Sequence, residues 1–254
     1  MAWRLPDHDH RTYPRNPLEA VIVQLRFDPI LKVGDRVADF QDGIRGRFPK
    51  FEVQETQSFE INPALGVRTR NEREFRFQTK DASGTVFLST HAVALETRAH
   101  IERDALLGDF AAVMKALRAV YDPVSPLRLG LRYVNLLDRK RIGADLQTEV
   151  AWGDLVAPDF IHVPCGLADL EGISFGSEFS GGLDGGRLTL RYGMVPEPER
   201  EARFRLDIDR YAEQDLDVDA IQDTLMRFAG DIFSVFRTAA GPELLRWMRE
   251  GTRK

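Results

Sequence analysis

Apolar residues recur with two different periods along the chain, and the alternation between them predicts its elements. Val21, Val23, Leu25 and Phe27 alternate with Ile22, Gln24 and Arg26, which predicts a strand with one strongly apolar face. The residues before it are polar and contain Pro6, Pro14 and Pro17, an extended lead-in. Val37, Phe40, Ile44 and Phe48 fall near helical spacing, with Pro49 as the stop. Strand patterns follow at 51–60, 74–80, 85–90 and 92–100, and Asp81 to Gly84 is a hairpin signal between two of them. Leu106, Phe110, Val113, Met114, Leu117, Val120 and Tyr121 then trace the clearest helix, with Asp104 as expected N-cap and Pro123 as stop.

The second half repeats this grammar. Leu127, Leu129, Leu131 and Tyr133 oppose Arg128 and Arg132 in a strand. A loop-rich stretch leads to strands at 173–179 and 187–194, joined by the glycine-rich turn 181–186. Phe204, Leu206 and Ile208 alternate with Arg203, Arg205, Asp207 and Asp209. Ile221, Leu225, Phe228, Ile232, Val235 and Phe236 form one face of a final helix, with Asp217 or Asp219 as cap. The fold class this predicts is α+β: two related lobes, each an antiparallel sheet packed against a long amphipathic helix. The expected boundaries are an extended segment at 1–17, a first lobe at 18–140, a connecting segment at 141–172 and a second lobe at 173–254.

Composition narrows the function classes. The 254 residues, 43% hydrophobic and 30% charged, are enough for a real core, which excludes disorder as the global state. A net charge of −5 argues against a general nucleic-acid binder. The 35 basic residues include only 6 Lys, and the arginines are spread over the chain rather than clustered. Residues 1–142 carry 23 basic and 19 acidic groups, whereas 143–254 carry 12 and 21. That split points to attraction between lobes or to a head-to-tail contact between copies. Cys165 is the only cysteine, so no intramolecular disulfide or cysteine-based metal cluster is expected. The first residues lack the apolar core of a secretory signal, and no apolar run is long enough to span a membrane. The expected setting is cytoplasmic.

Motifs with catalytic overtones are weak. Gly172-Ile-Ser174-Phe-Gly176 matches a nucleophile elbow, but strand-like sequence follows and the last histidine, His162, precedes the serine. Asp207-Ile-Asp209 places two carboxylates on one strand face, as two-metal nucleotidyl transferases do. Arg203 and Arg205 share that face, which favours ion pairing instead. Asp215 to Asp219 lacks the glycine and terminal glutamate of a calcium loop. His8 and His10 lie in the polar lead-in, and His91 and His100 stand alone in a strand region. Arg68, Arg70, Arg73 and Arg76, interleaved with Phe75 and Phe77, form a basic–aromatic strip, but the two phenylalanines share a core-facing phase.

Taken in order, several segments form a recognisable set. They are Tyr13 to Ala20, with Asn16-Pro17-Leu18-Glu19; Val23 to Phe27; Gly130-Leu131-Arg132-Tyr133-Val134-Asn135; and Phe204 to Asp209. The chain resembles a sporadically distributed family of uncharacterised prokaryotic proteins of about this length, from Tyr13 to Trp247. Members tend to carry a histidine in the last helix, and Phe228 to Phe233 has none. The resemblance implies a small cytosolic protein of patchy, laterally transferred occurrence, in keeping with a stress, defence or toxin-neutralising context. It implies no activity.

Without a convincing nucleophile, base or metal set, the leading expectation is a non-catalytic binding or protein-interaction module. A protein partner or self-association is expected, and no cofactor. Its candidate site residues are Asn16, Arg26, Arg132, Asn135, Asp207 and Asp209, all at strands or strand ends. Converging, they would build a polar site between the lobes; otherwise they tie the lobes through ion pairs. One alternative is a small-molecule or acyl-chain binder with a cavity between sheet and helix. The other is a metal-dependent nucleotide or phosphoester enzyme using Asp207 and Asp209.

Overall fold

The alternating segments all become strands of one sheet. The computed structural model describes residues 5–6, 8, 12–62, 66–98, 102–122, 124–161, 173–197, 200–213 and 216–250, with side chains at all of these except 56–62, 66–72 and 200. The strands are β1 (Leu18–Phe27), β2 (Lys50–Asn62), β3 (Gly66–Gln78), β4 (Gly84–Leu88), β5 (Ala92–Thr97), β6 (Pro126–Leu137), β7 (Phe175–Leu183), β8 (Gly186–Glu197) and β9 (Arg200–Ala212). The helices are α1 (Val37–Ile44), α2 (Arg103–Tyr121), α3 (Arg139–Leu146), α4 (Trp152–Leu155), α5 (Ile221–Ala239) and α6 (Pro242–Glu250).

The expectation of two lobes with separate sheets is corrected. The nine strands form a single antiparallel sheet in the order β2-β3-β4-β5-β1-β6-β9-β8-β7. Strand edges explain the difference. In separate sheets β6 of the first expected lobe and β9 of the second would each leave a row of backbone donors and acceptors unpaired, and placing them side by side removes two such edges. On its other side β6 pairs with β1: the amide of Asp28 donates to the Ser125 carbonyl (3.0 Å), and that of Leu136 to the Pro17 carbonyl (2.9 Å). Side-chain alternation reports which face of a strand is buried but not which strand lies beside it.

Packing nevertheless separates the chain into two units: Met1–Val21 with Leu131–Tyr211 and Met226–Lys254, and Ile22–Gly130 with Ala212–Leu225. In the second of these, Phe40 of α1 meets Phe77 of β3 edge to face at 5.4 Å. The Tyr121 hydroxyl at the end of α2 donates to the Val33 carbonyl (3.1 Å), and burial pushes its pKa up to about 12. The predicted hairpin is the β3–β4 turn. There the Asp81 carboxylate accepts from the Thr79 and Ser83 hydroxyls (2.6 and 2.8 Å), which hold its pKa at about 2.

In the other unit Phe204 and Leu206 of β9 face Phe236 of α5 and Leu244 of α6. Trp152 of α4 lies 6.3 Å from the Phe204 ring. The loop-rich reading of 139–172 missed α3 and α4, and α6 also went unpredicted. Its signals are Pro242 at the first helical position and Leu244, Trp247 and Met248 at helical spacing, all buried. Asp104 sits inside the first turn of α2 rather than capping it; the N-cap is Glu102.

The edge strand β7 pairs with β8 through a glycine that sequence alone does not single out. Gly193 has φ +154°, and a Cβ there would strike the Phe175 carbonyl oxygen and approach Gly176 Cα to 2.8 Å. Gly193→Ala should therefore cost about 1–2 kcal/mol, limited because an edge strand can lift away. Amide exchange protection should fall in β7 while β9 keeps its own.

Candidate functional site

Strand β9 carries two rows of side chains. One row, Phe204, Leu206 and Ile208, is buried against the helices. The other holds Arg203, Arg205, Asp207 and Asp209, with β8 alongside in the register Gly193↔Arg205, Arg191↔Asp207 and Thr189↔Asp209. Period-two geometry puts these four polar side chains on one face, as the sequence predicts.

Asp207 organises that face. Arg132 of β6 donates to it through Nε (2.8 Å to Oδ1) and Nη2 (2.6 Å to Oδ2), a bidentate fork. Arg205, two residues away on its own strand, donates Nη2 to Oδ2 (2.7 Å). The carboxylate is fully buried beneath the two guanidiniums, whose side chains remain 36% and 42% exposed. Burial by itself would raise the Asp207 pKa, but the hydrogen bonds and charges of Arg132 and Arg205 outweigh it and hold the carboxyl below the usual carboxylate range. The outer edges of both guanidiniums reach the surface of the sheet.

The remaining candidates divide. Asn135 is buried, and its Nδ2 donates to the Leu206 carbonyl (3.1 Å), joining β6 to β9 behind the cluster. Asp209 is half-buried one pleat along the same face. Asn16 is exposed and makes a local turn, its Oδ1 accepting from the Leu18 amide (3.2 Å). Arg26 is exposed on β1 and belongs to the other packing unit.

The structure also places the weaker motifs. Ser174 is exposed and runs directly into β7, without the strand–turn–helix setting of a nucleophile elbow. The turn 181–186 joins β7 to β8 as expected, with Gly185 and Gly186 at φ +68° and +151°. In the basic–aromatic strip Arg73 pairs with Glu55 (2.8 Å) and Arg76 with Glu74 (2.9 Å), while Phe75 and Phe77 are buried. The side chains of Arg68 and Arg70, together with His10, His100 and Cys165, lie outside the described residues. Among the described residues no group of three or more His, Cys, Asp or Glu is placed to hold a metal ion. None of the described helices is long and apolar enough to cross a membrane.

One buried charge escaped the sequence reading. Arg210 follows Phe204, Leu206 and Ile208 in the core-facing phase and is wholly buried. Its Nε donates to Asp231 of α5 (2.8 Å), and its other nitrogens reach the carbonyls of Arg187, Tyr211 and Asp184. The guanidinium lies 4.6 Å over the Phe228 ring. A cation in step with an apolar row is the signal that marks such a pair.

No family model matches the chain, and no curated protein is similar to it.

Proposed function

We propose that the chain is a non-catalytic binding module that presents Arg132 and Arg205 to an anionic group on a protein partner, such as a run of acidic side chains. The observation that carries this reading is the two half-exposed guanidiniums fixed over a buried carboxylate. Asp207 orients both forks before any partner arrives, so little side-chain entropy is lost on binding.

The same burial weighs against the metal-dependent alternative. A carboxylate engaged in three guanidinium hydrogen bonds has its lone pairs committed, and two adjacent cations oppose the entry of a third. Arg132 also ties β6 to β9, so variants must separate binding from folding.

Arg205→Gln does so, because the bidentate Arg132–Asp207 pair survives it. The variant should stay within about 1 kcal/mol of wild type in stability. Titrated calorimetrically with oligoglutamate at low ionic strength, it should bind about tenfold more weakly, and wild-type binding should fade with added salt. Absence of oligoglutamate binding to wild type, or equal affinity for the variant, would overturn the proposal.

A further inference from the structure

A groove of about 370 Å³ runs between α2 and the segment that opens α5, entirely within the unit formed by Ile22–Gly130 and Ala212–Leu225. Its floor is apolar: Phe110 and Met114 from α2, Ile221 and Leu225 from α5, each under 8% exposed. The rim is charged. Lys115 and Arg118 stand three residues apart on α2 and so face the same side. Arg118 reaches across to Asp219, Nη1 to Oδ1 at 2.6 Å.

We infer that this groove is a binding site for a small amphiphile with an unbranched apolar tail and a carboxylate head. The volume lies within the range of small-ligand sites, roughly 300–1,000 Å³, and an apolar floor with a few polar groups at one end is their usual make-up. The tail lies along Phe110, Met114, Ile221 and Leu225. The head takes the place of Asp219 on Arg118, with Lys115 one turn earlier supplying the second cation. Asp122 also pairs with the Arg118 guanidinium, Nε to Oδ1 at 3.6 Å, and stays in place when Asp219 leaves. The Arg118 and Asp219 side chains are 42% and 76% exposed, and exposed pairs of this kind are worth at most about 1 kcal/mol. The ligand's carboxylate arrives on a tail that also removes apolar surface from water, so it displaces Asp219 at little cost.

In this mechanism Asp219 competes with the ligand, and that sets the test. Dodecanoate, kept below its micellar concentration, is titrated into the intact protein by calorimetry. Wild type should bind one molecule saturably. Asp219→Asn should bind about threefold more tightly, because the competing carboxylate is gone. The double variant Lys115→Gln with Arg118→Gln should bind about tenfold more weakly. Ala111→Phe, which places a ring in the groove mouth, should abolish binding with the fold intact by circular dichroism. Dodecyltrimethylammonium should not compete. The inference is overturned if wild type shows no saturable site, if Asp219→Asn and the double variant both match wild type, or if the cationic amphiphile binds as well as dodecanoate.

Discussion

Asp231→Ala should lower the unfolding free energy by about 3–5 kcal/mol, the largest effect of any single side-chain truncation considered for this protein. The reason is the position of Arg210, whose side chain has no exposed surface at all, whereas Asp231 keeps 24%. Removing the carboxylate strands a full positive charge in the core, with only backbone carbonyls and the Phe228 face to balance it. Arg210→Met should cost less, since it removes the charge and leaves a partly hydrated Asp231. Combining Arg210→Met with Asp231→Leu should recover most of the loss, because the penalty lies in the unpaired charge rather than in the missing bond. Urea unfolding reads this as a shift in midpoint at constant slope. A loss below about 1 kcal/mol for Asp231→Ala would mean that Arg210 finds water or another anion there.

Asp207→Asn comes next, at about 3 kcal/mol near neutral pH. The amide keeps the shape of the carboxylate but turns a donor toward guanidinium donors and removes the anion between them. The cost stays at the lower end for a buried pair because Arg132 and Arg205 can rehydrate through their exposed edges. The pH dependence has a fixed sign. The folded pKa of Asp207 lies below its unfolded value, so its contribution is complete above the unfolded value of about 3.9 and is lost as pH falls through the folded pKa. Wild type and Asp207→Asn should therefore converge in stability at strongly acidic pH, with the gap opening as pH rises toward about 4 and staying level above it. A gap that stays constant down to the acid limit would show that Asp207 titrates normally.

Much of the fold was legible where one period ran long enough. The alternation at 21–27, 127–133 and 204–208 gave β1, β6 and β9, and the face from Leu106 to Tyr121 gave α2, since burial on one side writes itself into the order of residues. The continuity of the sheet was not legible. Strands β6 and β9 pair through backbone groups that every residue shares, so neither segment names the other. The short helices α3 and α4 carry too few buried positions to establish a period, with Ile142 and Leu146 in one and Trp152 and Leu155 in the other.

The candidate site was legible in part for the same reason. Arg205 and Asp207 share a face by simple alternation, and Arg132 and Asn135 stood out within their segment. That Arg132 meets Asp207 from the next strand depends on the β6–β9 register, which no local pattern encodes. Asn16 and Arg26 looked equivalent to these in the sequence, yet one caps its own turn and the other belongs to a different unit. The groove beside α2 could not be foreseen, because Arg118 and Asp219 are 101 residues apart, and alone one reads as surface charge and the other as a helix cap.

Binding through Arg132 and Arg205 can be observed at the guanidiniums themselves. The Arg205 Nε is enclosed and makes no hydrogen bond, so its proton should exchange slowly and give a resolved side-chain signal. In a ¹H–¹⁵N titration of wild type with oligoglutamate, the Arg132 and Arg205 Nε–Hε peaks should shift together, saturate at one affinity and return on addition of salt. If peaks from other arginines move while these two stay fixed, the cluster is only a tie between β6 and β9, and the proposed function fails.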